Sequence, residues 1–127
     1  MQPLLIVTVA LHVLSAIFWA GTTFTLARTG GADAARLFRP QIGAAIVAMV
    51  TGSMLWHLLH EADFGRMELA LAIAAGAAVT AFLVQAVGVG RILRRDAADR
   101  TGLAIAYRIS AGLLMVTAIG MATARYV

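Results

Sequence analysis

The fold is decided by the first apolar run of the chain, whose centre reads Leu11-His12-Val13-Leu14-Ser15-Ala16-Ile17-Phe18-Trp19-Ala20-Gly21. Between Pro3 and Leu26 the only titratable side chain is that of His12. A run of this length crosses a hydrocarbon core of about 30 Å. At a rise of about 1.5 Å per residue, His12 lies about 12 Å below the membrane surface at which the helix begins. The run therefore predicts a transmembrane helix with an imidazole well inside it.

The composition of the whole chain indicates an integral membrane protein. Of its 127 residues, 61% are hydrophobic and only 13% are charged, whereas about a quarter of the residues in a soluble domain are charged. All ten basic residues are arginines, most of them at the ends of the apolar runs, so the net charge of +4 reflects membrane topology and not nucleic-acid binding. The absence of cysteine excludes disulfides, iron–sulfur clusters and covalently attached haem, and leaves His, Met and carboxylates as metal ligands.

Four apolar segments follow one another along the chain, at about residues 4–26, 40–60, 69–93 and 103–124. The first is longer than a signal-peptide core, so we expect it to be retained as a helix. Short connections place each helix beside the preceding one, which predicts a single all-α domain, a four-helix up-down-up-down bundle. Pro40 is expected in the first turn of the second helix, where its missing N–H costs nothing.

The third segment is rich in small residues at helical spacing, and such a face allows helices to approach closely in lipid. These residues are Ala70, Ala74, Ala77, Ala78 and Ala81. We expect the face to pack within the bundle or between protomers.

The arginines also predict the orientation of the chain. The first and third connections hold Arg28, Arg36, Arg39, Arg94, Arg95 and Arg100, whereas the opposite side holds Arg66 and Arg125. Because cytoplasmic loops carry the excess of positive charge, these two connections are expected in the cytoplasm and both termini outside. The expected location is the bacterial inner membrane, which the chain would cross several times.

Histidines are the strongest candidates for a functional site. His57 and His60 are three residues apart near the end of the second segment, and His57 is expected about 9 Å deep, close to the depth of His12. Two imidazoles facing each other across a bundle are suitable axial ligands for haem b, with Phe18, Trp19 and Trp56 as flanking aromatics. The predicted pair of ligands is therefore His12 and His57.

Each of these residues also has a plain structural interpretation. His12 could simply bond to a neighbouring helix, and His60 could be solvated beside Glu61 and Asp63, although a His-x-x-His pair with carboxylates could also hold a divalent metal. The aromatic residues could pack at the membrane interface. Thioethers with imidazoles suit Cu(I), but methionine commonly fills gaps in cores; the methionines concerned are Met54, Met115 and Met121.

Two further polar residues interrupt the apolar runs. Arg108 lies about 7 Å from the cytoplasmic end of its segment, so its side chain is expected to extend to the interface rather than to bind a haem propionate. Gln85 is expected to satisfy its amide across the bundle with a serine or threonine such as Ser110.

The pattern from Leu11 to Gly21, with its histidine and its Phe-Trp-Ala-Gly, resembles the first helix of the small membrane proteins of the copper-resistance D superfamily. It is also similar to that of the HemJ-type protoporphyrinogen oxidases. In the haem-binding branch the histidine of the first helix is an axial ligand, and the resemblance implies this role for His12.

The leading functional expectation is a membrane haem-b protein acting in electron transfer or haem-linked redox chemistry, as an oxidoreductase or electron-transfer subunit. One alternative is a copper-binding or copper-transport protein that uses His12, His57 and the methionines. Another is an accessory subunit without a cofactor that packs in a homo-oligomer or a larger membrane complex. The short loops leave no room for a soluble catalytic domain, and the expected partners are membrane lipid and other membrane proteins.

The orientation can be tested with reporter fusions. Fusions after Arg36 or Asp96 should report the cytoplasm, because the arginines of those connections stay inside, and fusions after Asp63 or at the C-terminus should report the exterior. Activities of an alkaline phosphatase and a fluorescent protein at the same positions provide the measurement. The opposite pattern would contradict the predicted orientation.

Overall fold

The computed structural model describes residues 2–59, 65–95 and 99–126, and nearly all of these residues are helical. Four helices are long and apolar enough to cross a membrane: α1 (Gln2–Thr29), α2 (Ala34–Leu59), α3 (Arg66–Arg95) and α4 (Arg100–Tyr126). The predicted all-α architecture with four such helices is confirmed. Helices α1, α3 and α4 extend beyond their predicted apolar segments at both ends, and α2 does so at its start, because polar and arginine residues continue the helix where the hydropathy has fallen.

Helix α2 begins six residues before Pro40, so the prediction that this proline lies in the first turn is wrong. The turn that starts the helix is closed by the backbone of Asp33, whose carbonyl accepts from Leu37 N–H at 3.0 Å. Leu37 and Phe38 pack against the core and thereby favour the early start. Pro40 lacks the N–H that would donate to the backbone carbonyl of Arg36, four residues earlier. Both residues are exposed, so water can take the place of the missing donor.

Helix α3 contains a π-helical turn. Its α-helical part Arg66–Leu83 continues through the π-helical residues Val84–Val89 and resumes at Gly90–Arg95. Such turns accommodate one extra residue and are frequent at functional sites. The turn contains Gln85, which is completely buried. The irregularity therefore falls where α3 presents an amide to the centre of the bundle.

Helix α1 packs along α2 and also contacts α4, and α4 in turn packs along α3; the contact between α2 and α3 is small. Alanines dominate the middle of the core, where one cluster contains Trp19, Ala45, Ala48, Ala78, Ala81 and Leu114. A second cluster contains Leu26, Ala34, Val89, Leu103, Ala106 and Tyr107. Small side chains allow the helix backbones to approach closely, and the resulting van der Waals packing is one source of attraction between helices in lipid.

A pair of glycines ends helix α1 and brings it against α4. Gly30 and Gly31 have φ values of 67° and 81°, a conformation that glycine adopts without a steric penalty. The Gly31 N–H donates to Leu26 O at 2.8 Å and satisfies one of the last carbonyls of the helix. A Cβ atom on Gly31 would lie 2.8 Å from Leu103 Cβ, so the close contact with α4 also requires glycine.

The outward faces of the helices carry large aliphatic side chains. Ile6, Leu14 and Ile17 of α1 are each more than 60% exposed, and α2, α3 and α4 carry similar residues. This surface matches a lipid environment, in which exposed aliphatic groups cost nothing.

Packing of α3 against α4 can be tested at Gly120. A Cβ atom there would lie 2.9 Å from Ala74 Cβ, and two rigid groups at that distance force the helices apart. Gly120→Ala should therefore lower the free energy of unfolding by about 1–3 kcal/mol, measured by thermal or denaturant unfolding in detergent.

Gly112 in the same helix is the matched control. No described atom lies within 4 Å of a Cβ atom placed on it, so Gly112→Ala should leave the stability unchanged or raise it slightly. Equal destabilisation by the two substitutions would contradict the close packing at Gly120.

Candidate functional site

His12 is held between α1 and α2 by a hydrogen bond to the backbone. Its side chain is half-buried, and its Nδ1 atom lies 2.9 Å from Ala48 O and 3.1 Å from Thr51 Oγ1. The Thr51 hydroxyl donates to Val47 O at 2.7 Å, so its oxygen is available to accept. Both neighbours of Nδ1 are thus acceptors, and these partners assign the hydrogen of the neutral ring to Nδ1.

The opposite ring nitrogen, Nε2, carries the free lone pair in this tautomer. Within the described residues, Nε2 of His12 makes no hydrogen bond. Metal-ligating histidines commonly have the same arrangement, with one ring N–H donated to a carbonyl and the other nitrogen on the metal. The geometry of His12 therefore leaves the lone pair of Nε2 available.

A glycine makes room for the imidazole. A Cβ atom on Gly52 would lie 3.1 Å from His12 Cε1 and 3.6 Å from Nδ1. Any larger side chain at this position would press on the ring and strain its bond to Ala48. The α1–α2 contact is thus built around the histidine.

The register of the two helices places His12 beside Ala48, Thr51 and Gly52. His57 lies six residues beyond Thr51, which corresponds to about 9 Å along the helix axis and about 120° around it. It is exposed and lines an apolar groove of about 400 Å³ with Met54 and Leu58. No contact among the described residues joins His12 and His57. That the two bind one haem iron stays a prediction.

The other predicted site residues are dispersed. Met54, Met115 and Met121 are 38%, 54% and 39% exposed, and Phe18 is 42% exposed. Trp56 is half-buried. His60 lies outside the described residues. Among the residues that the structure describes, there is no group of three or more histidines and carboxylates suited to a metal ion.

Trp19 belongs to a buried hydrogen-bond network at the centre of the bundle. Its indole Nε1–H donates to Gln85 Oε1 at 2.8 Å, and Gln85 Nε2 donates to Thr23 Oγ1 at 2.9 Å. Gln41 Nε2 donates to the same threonine oxygen at 3.1 Å. The Tyr107 hydroxyl donates to Gln41 Oε1 at 3.0 Å. The network joins side chains from all four helices, and each of its members is buried.

We expected Gln85 to bond to a serine or threonine such as Ser110, and the structure shows Thr23 in this role. The Ser110 Oγ atom is buried and lacks a partner in the described part of the chain. The sequence pattern alone does not single out Gln41 or Tyr107 as members of a buried network. Gln41 follows Pro40 and Tyr107 precedes Arg108. Proline and arginine are typical of helix ends, so the sequence around both residues resembles a membrane interface. Their signal is the helical spacing that aligns them with the buried alanines of the same helices.

No family model, curated protein or solved structure matches this chain.

Tyr107→Phe tests the network without changing the shape of the core. The substitution removes the donor to Gln41 and leaves a buried amide oxygen unpaired, so it should lower the free energy of unfolding by about 1 kcal/mol. Unfolding in detergent gives the measurement. Tyr126→Phe is the control, because Tyr126 is 73% exposed. A Tyr107 variant as stable as the control would contradict the hydrogen bond.

Proposed function

We propose that this chain is a b-type haem protein of the bacterial cytoplasmic membrane, acting in electron transfer or haem-linked redox chemistry, with His12 Nε2 as an axial ligand. In this proposal the four helices run up-down-up-down and both termini lie outside. The observation that carries the proposal is the hydrogen bond from His12 Nδ1 to Ala48 O at 2.9 Å. The resemblance of the first helix to haem-binding membrane proteins supports the same role.

The residues around His12 fit one imidazole ligand of a haem. The hydrogen bond to the carbonyl orients the ring and increases the basicity of Nε2. Apolar neighbours on α1, Leu11 and Val13, are exposed and offer the apolar surroundings that a porphyrin requires. A bound haem would supply one-electron chemistry. The protein would bind the iron, orient the ligand and limit access of water.

His57 is the proposed second ligand. It lies about 9 Å further along α2 than Thr51, the residue beside His12. Its side chain lies on the exposed face of that helix. A haem with His12 alone would be five-coordinate, whereas a second imidazole would make it low-spin. The coordination state of the purified protein therefore reports whether His57 takes part.

A second candidate function is Cu(I) binding at the groove beside His57. Met54 and His57 are three residues apart and line the same groove, so a thioether and an imidazole can reach one ion. The other predicted methionines do not line this groove. A colourless parent protein that binds copper, with a lower copper content in Met54→Leu, would favour this function over haem.

The haem proposal is tested by absorption spectroscopy of the protein purified in detergent. The parent protein should show a Soret band, and His12→Ala should lose most of its haem because the oriented ligand is gone. Gly52→Ala should bind haem more weakly, because a methyl group 3.1 Å from His12 Cε1 displaces the ring. His57→Ala should keep haem and change from low-spin to high-spin iron.

The control is Gly43→Ala, since Gly43 lies on the same helix as Gly52 and no described atom lies within 4 Å of a Cβ atom placed on it. It should match the parent spectrum. A colourless parent protein, or a His12→Ala variant with full haem content, would rule out the proposal. An unchanged low-spin spectrum in His57→Ala would exclude His57 as the second ligand and leave the role of His12 intact.

A further inference from the structure

Arginine side chains line a recess between the end of α1 and the beginning of α4. The recess has a volume of about 340 Å³ and is lined by Thr29, Gly30, Arg100, Thr101, Ala104, Ile105 and Arg108. Its lining carries two guanidinium groups and no carboxylate. From this combination we infer a binding site for a phosphate group, contributed by the headgroup of an anionic phospholipid or by free phosphate.

The two arginines share one side of α4. Arg100, Ala104 and Arg108 follow one another at intervals of four residues, so their side chains project on neighbouring parts of the helix surface. Neither guanidinium has an ion-pair or hydrogen-bond partner in residues 2–59, 65–95 and 99–126. Both are exposed. The planar donor fork of arginine matches the oxygens of a phosphate, and such charge-assisted bonds are among the strongest in proteins.

The carboxylate of Asp99, the residue before Arg100, caps α4. It accepts a hydrogen bond from Gly102 N–H at 3.0 Å. Its charge therefore serves the first turn of α4. The positive end of the helix dipole at Arg100 adds to the attraction for an anion.

Two threonine hydroxyls complete the donor set. Most serine and threonine side chains elsewhere in the helices donate to the carbonyl four residues earlier, as Thr25 and Thr80 do, and Ser110 is an exception. Thr29 and Thr101 make no such bond to a described residue. Their hydroxyls are therefore available to a ligand in the recess.

The glycine turn shapes the recess. A Cβ atom placed on Gly30 would lie 3.9 Å from Ala104 Cβ, so a larger side chain would fill the space between the helices.

The recess lies at the depth of the lipid headgroups. Helix α4 has 27 residues, about 40 Å at 1.5 Å per residue, against a hydrocarbon core of about 30 Å. Its first turns therefore reach the headgroup layer.

The site is tested with protein that has been delipidated in neutral detergent, and with the variant Arg100→Gln/Arg108→Gln. Native mass spectrometry measures binding of phosphatidylglycerol and of phosphatidylcholine at about 0.15 M salt. The parent should retain phosphatidylglycerol in preference. The affinity of the double variant for phosphatidylglycerol should be lower by about tenfold or more, as expected when charge-assisted hydrogen bonds are lost.

Arg91→Gln/Arg95→Gln is the matched control, because it removes the same charge from exposed residues at the end of α3, outside the recess. Its affinity should stay within about twofold of the parent, since neither arginine lines the recess and salt screens the interactions of exposed charges. A separate arm compares the thermal unfolding of delipidated protein in inorganic phosphate and in chloride at matched ionic strength. Stabilisation by phosphate in the parent, lost in the recess variant, identifies free phosphate as the ligand.

Preferential lipid binding that only the recess variant loses identifies the headgroup as the source. Equal losses in the two double variants would show that general positive charge attracts the anions, and would overturn the site. Failure of the parent to bind either ligand would overturn it as well. Unfolding midpoints of both variants without ligand verify that the proteins compared are folded.

Discussion

The hydrogen bonds of the Gln85 side chain are the interaction on which the bundle depends. In a hydrocarbon environment no water replaces a missing partner, so a buried amide must be satisfied by the protein itself. Gln85 accepts from Trp19 and donates to Thr23, and Gln41 extends the network to Tyr107. Alanine faces bring the helix backbones close, but close packing tolerates sliding and rotation. Directional bonds between four helices remove that freedom and fix the register at the centre.

The same constraint determines the chemistry available to His12. Because the ring lies between α1 and α2, its Nδ1–H has to find an acceptor there, and Ala48 O provides it. Gly52 leaves space for the ring on the same helix. One packing requirement thus places the proton on one ring nitrogen and the free lone pair on the other. Structure and candidate function are linked through this tautomer, since only the unprotonated nitrogen can bind iron or copper.

The sequence is sufficient to predict the four helices and the special position of His12, because hydropathy and charge act along a single helix. It is not sufficient for contacts between helices. The register depends on how the side chains of two helices interlock. It places His12 beside Thr51, six residues before the predicted partner His57. Gln41 was missed because Pro40 made its surroundings resemble a helix end. The π-helical turn at Gln85 has no hydropathy signal, since it depends on bonds to α1.

The contact between α1 and α2 places two acceptors at His12 Nδ1, which assigns the hydrogen of the neutral ring to this nitrogen. The most direct measurement is ¹⁵N NMR of histidine-labelled protein without cofactor in lipid nanodiscs, with His12→Gln used to assign the signal. We predict a ring with Nδ1 protonated and Nε2 unprotonated, and a shift of the Nδ1 signal in Gly52→Ala. A ring protonated at Nε2, the form that is more common in water, would contradict this assignment.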